Sequence, residues 1–233
     1  MVMGGSLVTK GDAPFTVALR MNVDRQAFSS GIIVGATWIM TARHSLFDGT
    51  GTFIPFANYS IWTGTKGPYG KRQIDGRAYT IGEWKDSVKW DVALLKLNEP
   101  IQPPATPITL NPARIISNTK AWLAGWGFLT PQYTRLPLNL QKISVTTSFA
   151  CSDDDFLCTP AIYGAPRLEP PGGGSLPGDS GGPLYTMDGG TPSLIGVISG
   201  NDIPGKRPPP HTTDARLHTR VSAIYSWAQQ YIG

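Results

Sequence analysis

Short stretches rich in β-branched and aromatic residues, each bounded by turn signals, recur along the whole chain. They are Phe15–Leu19, Gly31–Thr41, Tyr59–Trp62, Val92–Leu97, Ala121–Ala124, Gln141–Thr146, Leu184–Thr186, Leu194–Ser199 and Leu217–Val221. This is the pattern of strands in a sandwich or barrel. The 27 Gly and 21 Pro are spread throughout and fit many tight turns, because Gly supplies positive φ and Pro fixes its own. An all-β architecture is expected. A chain of 233 residues allows one large all-β domain or two small subdomains sharing a core.

The segment Leu97–Asn111 is Pro-rich and reads as a connection between two halves, since Pro cannot serve a central strand. Pro160–Pro177 reads as loop. Near the end, Val221, Ile224, Ala228 and Tyr231 recur at helical spacing, which predicts a short amphipathic helix over about 222–232, N-capped by Ser222.

Composition narrows the class. Hydrophobic residues make up 40% and charged residues 15%, as in an ordinary globular protein. The net charge of +4 comes without a run of five basic residues, so a nucleic-acid partner has no specific support. No apolar stretch reaches the roughly 18 residues of a membrane helix. The N-terminal segment lacks the basic start and apolar core of a signal peptide. It reads as a mature domain behind a start Met or as a cytoplasmic protein. Cys151 and Cys158 allow at most one intrachain bridge.

The strongest chemical signal is Gly178-Asp179-Ser180-Gly181-Gly182-Pro183-Leu184. A serine hydroxyl is a poor nucleophile unless a base takes its proton and donors receive the oxyanion. Glycines around it let backbone N–H groups come close. The chain holds three histidines, His44, His211 and His218. His44 follows the apolar run Trp38-Ile39-Met40-Thr41-Ala42-Arg43, as a residue at a strand end would. Asp91 leads straight into Val92-Ala93-Leu94-Leu95, where an uncompensated charge would cost several kcal/mol. It needs a partner.

The segments TARH, WDVALL and GDSGGPL, in that order, resemble the trypsin/chymotrypsin family. The likeness extends to Phe28–Ile33, to Ala124-Gly125-Trp126-Gly127 and to Leu217–Trp227. It implies two six-stranded antiparallel β-barrels and a short C-terminal helix, forming one peptidase domain. The barrels would span about 15–103 and 108–221. By position, Ser180 would attack the scissile carbonyl, His44 would act as base and then acid, and Asp91 would hold the imidazole tautomer. The N–H groups of Gly178 and Ser180 would form the oxyanion hole. The resemblance thus implies a serine endopeptidase acting on polypeptides through an acyl-enzyme, open to protein inhibitors, monomeric and without a cofactor. The alternative is a catalytically silent homologue acting as a binding module.

The chain departs from that family in several places. Ser45 and Ser29 stand where a disulfide pair is usual, and Leu176 replaces another Cys, so the scaffold is expected to rely on packing. Cys151 and Cys158 match a bridged pair of the family, so the resemblance implies a disulfide between them and favours secretion. Val2-Met3-Gly4-Gly5 resembles a mature N-terminus whose α-amine, once Met1 is removed, would pair with Asp179. Gly174 and Ser175 fall on the pocket floor and Ser199-Gly200-Asn201 on its wall. Arg216 stands where Gly is usual, with His218 two residues on and so on the same strand face. A guanidinium there binds a carboxylate bidentately, so acidic residues are the expected cleavage sites, as the similar pocket of granzyme B implies. If Asp202 or Asp214 neutralises Arg216, small or apolar residues are expected instead. No metal site is expected, because the histidines are dispersed. Nothing in Lys66–Asp86 is diagnostic of calcium.

Overall fold

The structure, a computed structural model, describes residues 5–9, 11–66, 75–116, 118–128, 137–147, 154–160, 178–201 and 215–233. A two-residue strand β1 (Ser6–Leu7) precedes a run of seven: β2 (Thr16–Met21), β3 (Ala27–Ile33), β4 (Trp38–Thr41), β5 (Tyr59–Trp62), β6 (Ala78–Tyr79), β7 (Ile81–Asp86) and β8 (Ala93–Leu97). A second run follows: β9 (Thr109–Leu110), β10 (Lys120–Gly125), β11 (Gln141–Thr146), β12 (Phe156–Pro160), β13 (Pro183–Asp188), β14 (Thr191–Asn201) and β15 (Ala215–Arg220). The helix α1 (Val221–Ile232) ends the chain.

Turn chemistry sets the hairpins. Between β2 and β3, Asp24 Oδ1 accepts the Gln26 N–H at 2.9 Å and Arg25 sits at φ 59°. Between β13 and β14, Gly189 and Gly190 both take positive φ, 58° and 91°. That is the requirement of a two-residue turn matching the strand twist.

The first sheet runs β6-β5-β2-β3-β4-β8-β7, all antiparallel. Thr80 alone separates β6 from β7, so one broken strand pairs with both edges and closes the barrel. Counted that way the first barrel has the six strands expected. The second sheet runs β1-β11-β10-β13-β14-β15-β12, with β9 added in parallel to β14. Its six principal strands are β10 to β15. The two-residue strands β1 and β9 fasten the N-terminal segment and the inter-sheet connection onto it. The all-β expectation, with two antiparallel sheets and a terminal helix, therefore holds.

Three local expectations need correction. Gly31–Thr41 is two strands, because the chain turns at Gly35 and Val34 N–H meets the Trp38 carbonyl at 3.0 Å. The connection Leu97–Asn111 contains β9. Ser222 does not cap the helix: Arg220 is the N-cap residue, and no side chain caps it. The helix is held by packing instead. Val221, Ile224 and Ala228 are buried, and Tyr231 lies 6.2 Å from the Trp38 ring. The helix thus carries the end of the second sheet's last strand back onto the first barrel, an apolar stripe at helical spacing meeting an apolar wall.

Candidate active site

Strands β4 and β8 are paired, with Thr41 opposite Ala93. The 3-10 turn Arg43–Leu46 after β4 and Asp91 just before β8 therefore emerge at one end of the first barrel. His44 N–H donates to Asp91 Oδ1 at 2.8 Å, and His44 Nδ1 lies 2.7 Å from Asp91 Oδ2. The opposite ring edge, Nε2, is 3.0 Å from Ser180 Oγ. His44 is half exposed (50%) while the Asp91 side chain is only 24% exposed, so the ring is reachable and its carboxylate sheltered. Burial pushes the Asp91 carboxyl up. The hydrogen bond and charge of His44, the Ser199 hydroxyl and the His44 backbone N–H outweigh it and hold the group below the usual carboxylate range.

Ser180 sits between glycines that have steric reasons to be there. Gly178 is at φ 91°, and a Cβ on it would lie 2.8 Å from Gly127 Cα. Gly181 is at φ 80°, and a Cβ there would collide with Thr41 Oγ1 and the Ser30 carbonyl. The loop is folded tightly against the first barrel at its base. Gly181 N–H donates to Ile198 O at 2.7 Å and Gly182 N–H to Asp179 O at 2.9 Å. Asp179 is fully buried, and its Oδ1 accepts the Gly127 N–H at 2.8 Å. Val2, expected opposite it, lies outside the described residues.

On the second sheet, the β14–β15 register shifts between Ile198 and Gly200, which makes Ser199 a bulge residue. Bulges re-aim side chains beside functional sites. Here the Ser199 hydroxyl donates to Asp91 Oδ2 at 2.6 Å, and its carbonyl lies 3.5 Å from Ser180 Oγ. Sequence reading assigned Ser199 only to the pocket wall and missed this contact. Past the bulge, Gly200 pairs with Leu217 and Asn201 with Arg216. Arg216 is 7% exposed and His218 fully buried. Burial, and then the Arg216 charge, push His218 down to about 3, so the ring is neutral. Its Nε2 shares a 2.9 Å hydrogen bond with Thr159 Oγ1. Gly174, Ser175, Leu176, Asp202, His211 and Asp214 lie outside the described residues.

Ser29 and Ser45 are joined, with their Oγ atoms 2.7 Å apart. Where the resemblance places a bridge, the two buried serines are joined by a hydrogen bond beside the packing expected there. Sequence reading also missed Ser30, whose hydroxyl donates to Gly178 O at 2.9 Å and accepts Trp126 N–H at 3.0 Å. A pair of adjacent serines in an otherwise apolar β3 was the available signal. Cys158 is buried and disulfide-bonded, while Cys151 lies outside the described residues. Among the described residues no His, Cys, Asp and Glu cluster is arranged to hold a metal ion. Among them, too, no helix is long and apolar enough to cross a membrane. In the segment read for calcium, the Asp75 carboxylate accepts Thr65 N–H, Thr65 Oγ1–H and Lys66 N–H at 2.7 to 2.8 Å.

The family model described as Trypsin matches residues 2–228. The chain is 23% identical over 254 residues to vitamin K-dependent protein C of Mus musculus, covering 100% of the chain and 52% of that protein. The Rattus norvegicus protein of the same name is 21% identical over 254 residues with the same coverage. Transmembrane protease serine 9 of Rattus norvegicus is 28% identical over 253 residues, covering 97% of the chain and 22% of that protein. The chain spans about half the length of the protein C relatives it matches.

Proposed function

Since the chain belongs to the trypsin family, we propose that it is a serine endopeptidase with His44, Asp91 and Ser180 as its catalytic triad. One observation carries the reading: the His44 ring has Asp91 Oδ2 at 2.7 Å on one edge and Ser180 Oγ at 3.0 Å on the other. With Asp91 accepting the Nδ1 proton, Nε2 is left as the base facing the hydroxyl. Ser180 Oγ adds to the scissile carbonyl as its proton passes to Nε2. The amine leaves with that proton, and water, deprotonated by the same nitrogen, releases the acid and restores the hydroxyl. Gly181 and Gly182 have their N–H groups engaged within the fold. That favours Gly178 and Ser180 N–H as the oxyanion donors.

The substrate preference follows the wall of β14. Ser199 O is 3.5 Å from Ser180 Oγ, and two residues on, Asn201 pairs with Arg216. Two strand residues span about 6.6 Å, the reach of a side chain. A guanidinium at that depth favours Asp or Glu at the cleaved position. Partners are polypeptide substrates and protein inhibitors of the same reach. An extracytoplasmic setting suits the disulfide at Cys158.

The test is labelling with a fluorophosphonate probe together with hydrolysis of fluorogenic peptides carrying Asp, Glu, Lys, Phe or Ala at the cleaved position. Labelling at Ser180 and turnover of peptides are expected, fastest with Asp or Glu. A folded protein that neither labels nor cleaves would be a binding module instead.

A further inference from the structure

Ser29 lies on β3 of the first barrel, yet its hydroxyl touches both halves of the site. Its Oγ is 2.7 Å from Ser180 O and 2.7 Å from Ser45 Oγ. Ser45 immediately follows His44 in the 3-10 turn. Ser29 Oγ–H has two acceptors within reach, Ser45 Oγ and the Ser180 carbonyl, and shares its one proton between them. The result is a hydrogen-bonded link from the His44 turn through Ser29 to the Ser180 carbonyl.

Its surroundings favour a fixed arrangement. Ser29 is 0% and Ser45 9% exposed, so water does not compete for these hydroxyls. Ser180 O also accepts the Ser30 N–H at 2.9 Å, and Ser30 Oγ holds Gly178 O at 2.9 Å. Two consecutive serines thus grip the carbonyls on either side of Asp179. Of these contacts, only the Ser29–Ser45 bond continues to the turn bearing His44.

We propose that Ser29 and Ser45 are positioning residues, a hydrogen-bonded clamp that sets the distance between His44 and Ser180. This rests on the triad reading above. The clamp touches neither substrate nor reacting atoms. It acts by limiting how far the His44 turn drifts from the nucleophile, and a misplacement of about 1 Å costs on the order of 10²-fold in rate. Substrate binding, built by other residues, is not in its reach.

The experiment compares wild type, Ser29→Ala, Ser45→Ala and the double variant Ser29→Cys/Ser45→Cys, the last oxidised with diamide or reduced with dithiothreitol. Wild type under the same treatments controls for the disulfide at Cys158. Readouts are kcat, KM, fluorophosphonate labelling rate and thermal unfolding. Ser29→Ala is expected to lower kcat and labelling tenfold to a hundredfold with KM within twofold, and Ser45→Ala to lower them less. The oxidised cysteine pair is expected within about threefold of wild type, falling to the Ser29→Ala level on reduction. Unchanged kcat in folded Ser29→Ala, or equal activity of the oxidised and reduced pair, overturns the clamp. If either alanine variant fails to fold, the oxidised and reduced pair decides alone. A folded wild type that neither labels nor cleaves brings down the triad reading and the clamp with it, whereas an active wild type with indifferent variants brings down the clamp alone.

Discussion

The Ser199 hydroxyl of the second sheet donates to Asp91 Oδ2, at the end of the first barrel, across 2.6 Å. Together with His44 N–H at 2.8 Å and His44 Nδ1 at 2.7 Å, it leaves the carboxylate well supplied with donors. Those donors keep Asp91 ionised below the usual range, against the effect of burial. A depressed carboxyl stabilises the fold above the unfolded value of about 3.9, and that contribution is lost as pH falls through the folded value. Ser199→Ala should therefore raise the pH of acid unfolding and lower kcat about tenfold, read by circular dichroism on acid titration and by peptide hydrolysis.

Asp91→Asn keeps the shape and reverses the polarity of one edge. An amide donor facing His44 Nδ1 would favour the tautomer that places the proton on Nε2, where the Ser180 proton must go. A loss on the order of 10⁴ in kcat is expected, against about 10⁶ for Ser180→Ala or His44→Ala. Steady-state kinetics on one good peptide substrate check all three.

Arg216→Gly removes the guanidinium of the β15 residue whose backbone pairs with Asn201. Cleavage after Asp or Glu should fall about a hundredfold in kcat/KM, while peptides with Ala or Phe at that position change little. A uniform loss across the peptide set would contradict a pocket that selects acidic residues.

His218 carries a pH signature of its own. Its folded pKa is pushed down to about 3 from an ordinary value of 6.5 by burial and then by Arg216. Between those values the unfolded chain binds a proton that the native chain does not. Stability should therefore fall as pH drops from 6.5 toward 3, by about 1.4 kcal/mol per pH unit for one proton. His218→Gln should flatten that slope, measured by urea unfolding at a series of pH values.

Gly125→Ala tests how tightly Asp179 is held. The new Cβ would collide with Asp179 Oδ1 and sit 3.0 Å from its Cγ. The backbone there is ordinary, so the penalty is contact alone. A loss of about 1–3 kcal/mol is expected from overpacking. A fall in kcat should accompany it, because Asp179 precedes the nucleophile. Denaturant unfolding and kinetics on the same sample separate the two effects.

How much of this was legible in sequence depends on the range of the interaction. The strands Tyr59–Trp62 and Gln141–Thr146 were read to the residue, because alternation and flanking turns are local signals. β7 and β12 were not, since Ile81-Gly82-Glu83-Trp84 and Phe156-Leu157-Cys158-Thr159-Pro160 lack clean alternation and gain their pairing from β8 and β15. The glycines around Ser180 were legible as a motif, but the reason for them was not. Thr41, the Ser30 carbonyl and Gly127, which forbid a Cβ there, come from 51 to 151 residues away. In the same way, Ser29 read as a missing cysteine until folding set it 2.7 Å from Ser180 O, 151 residues on. Residue type and spacing determined most of the strands and the family likeness, and pointed to His44, Asp91 and Ser180, since those signals come from neighbours along the chain. The bulge at Ser199 was decided only by the pairing of β14 with β15, and the hydroxyl link through Ser29 only by packing the Ser180 loop on the first barrel, because a hydrogen bond needs a partner within about 3 Å and the chain alone does not say which atoms will meet.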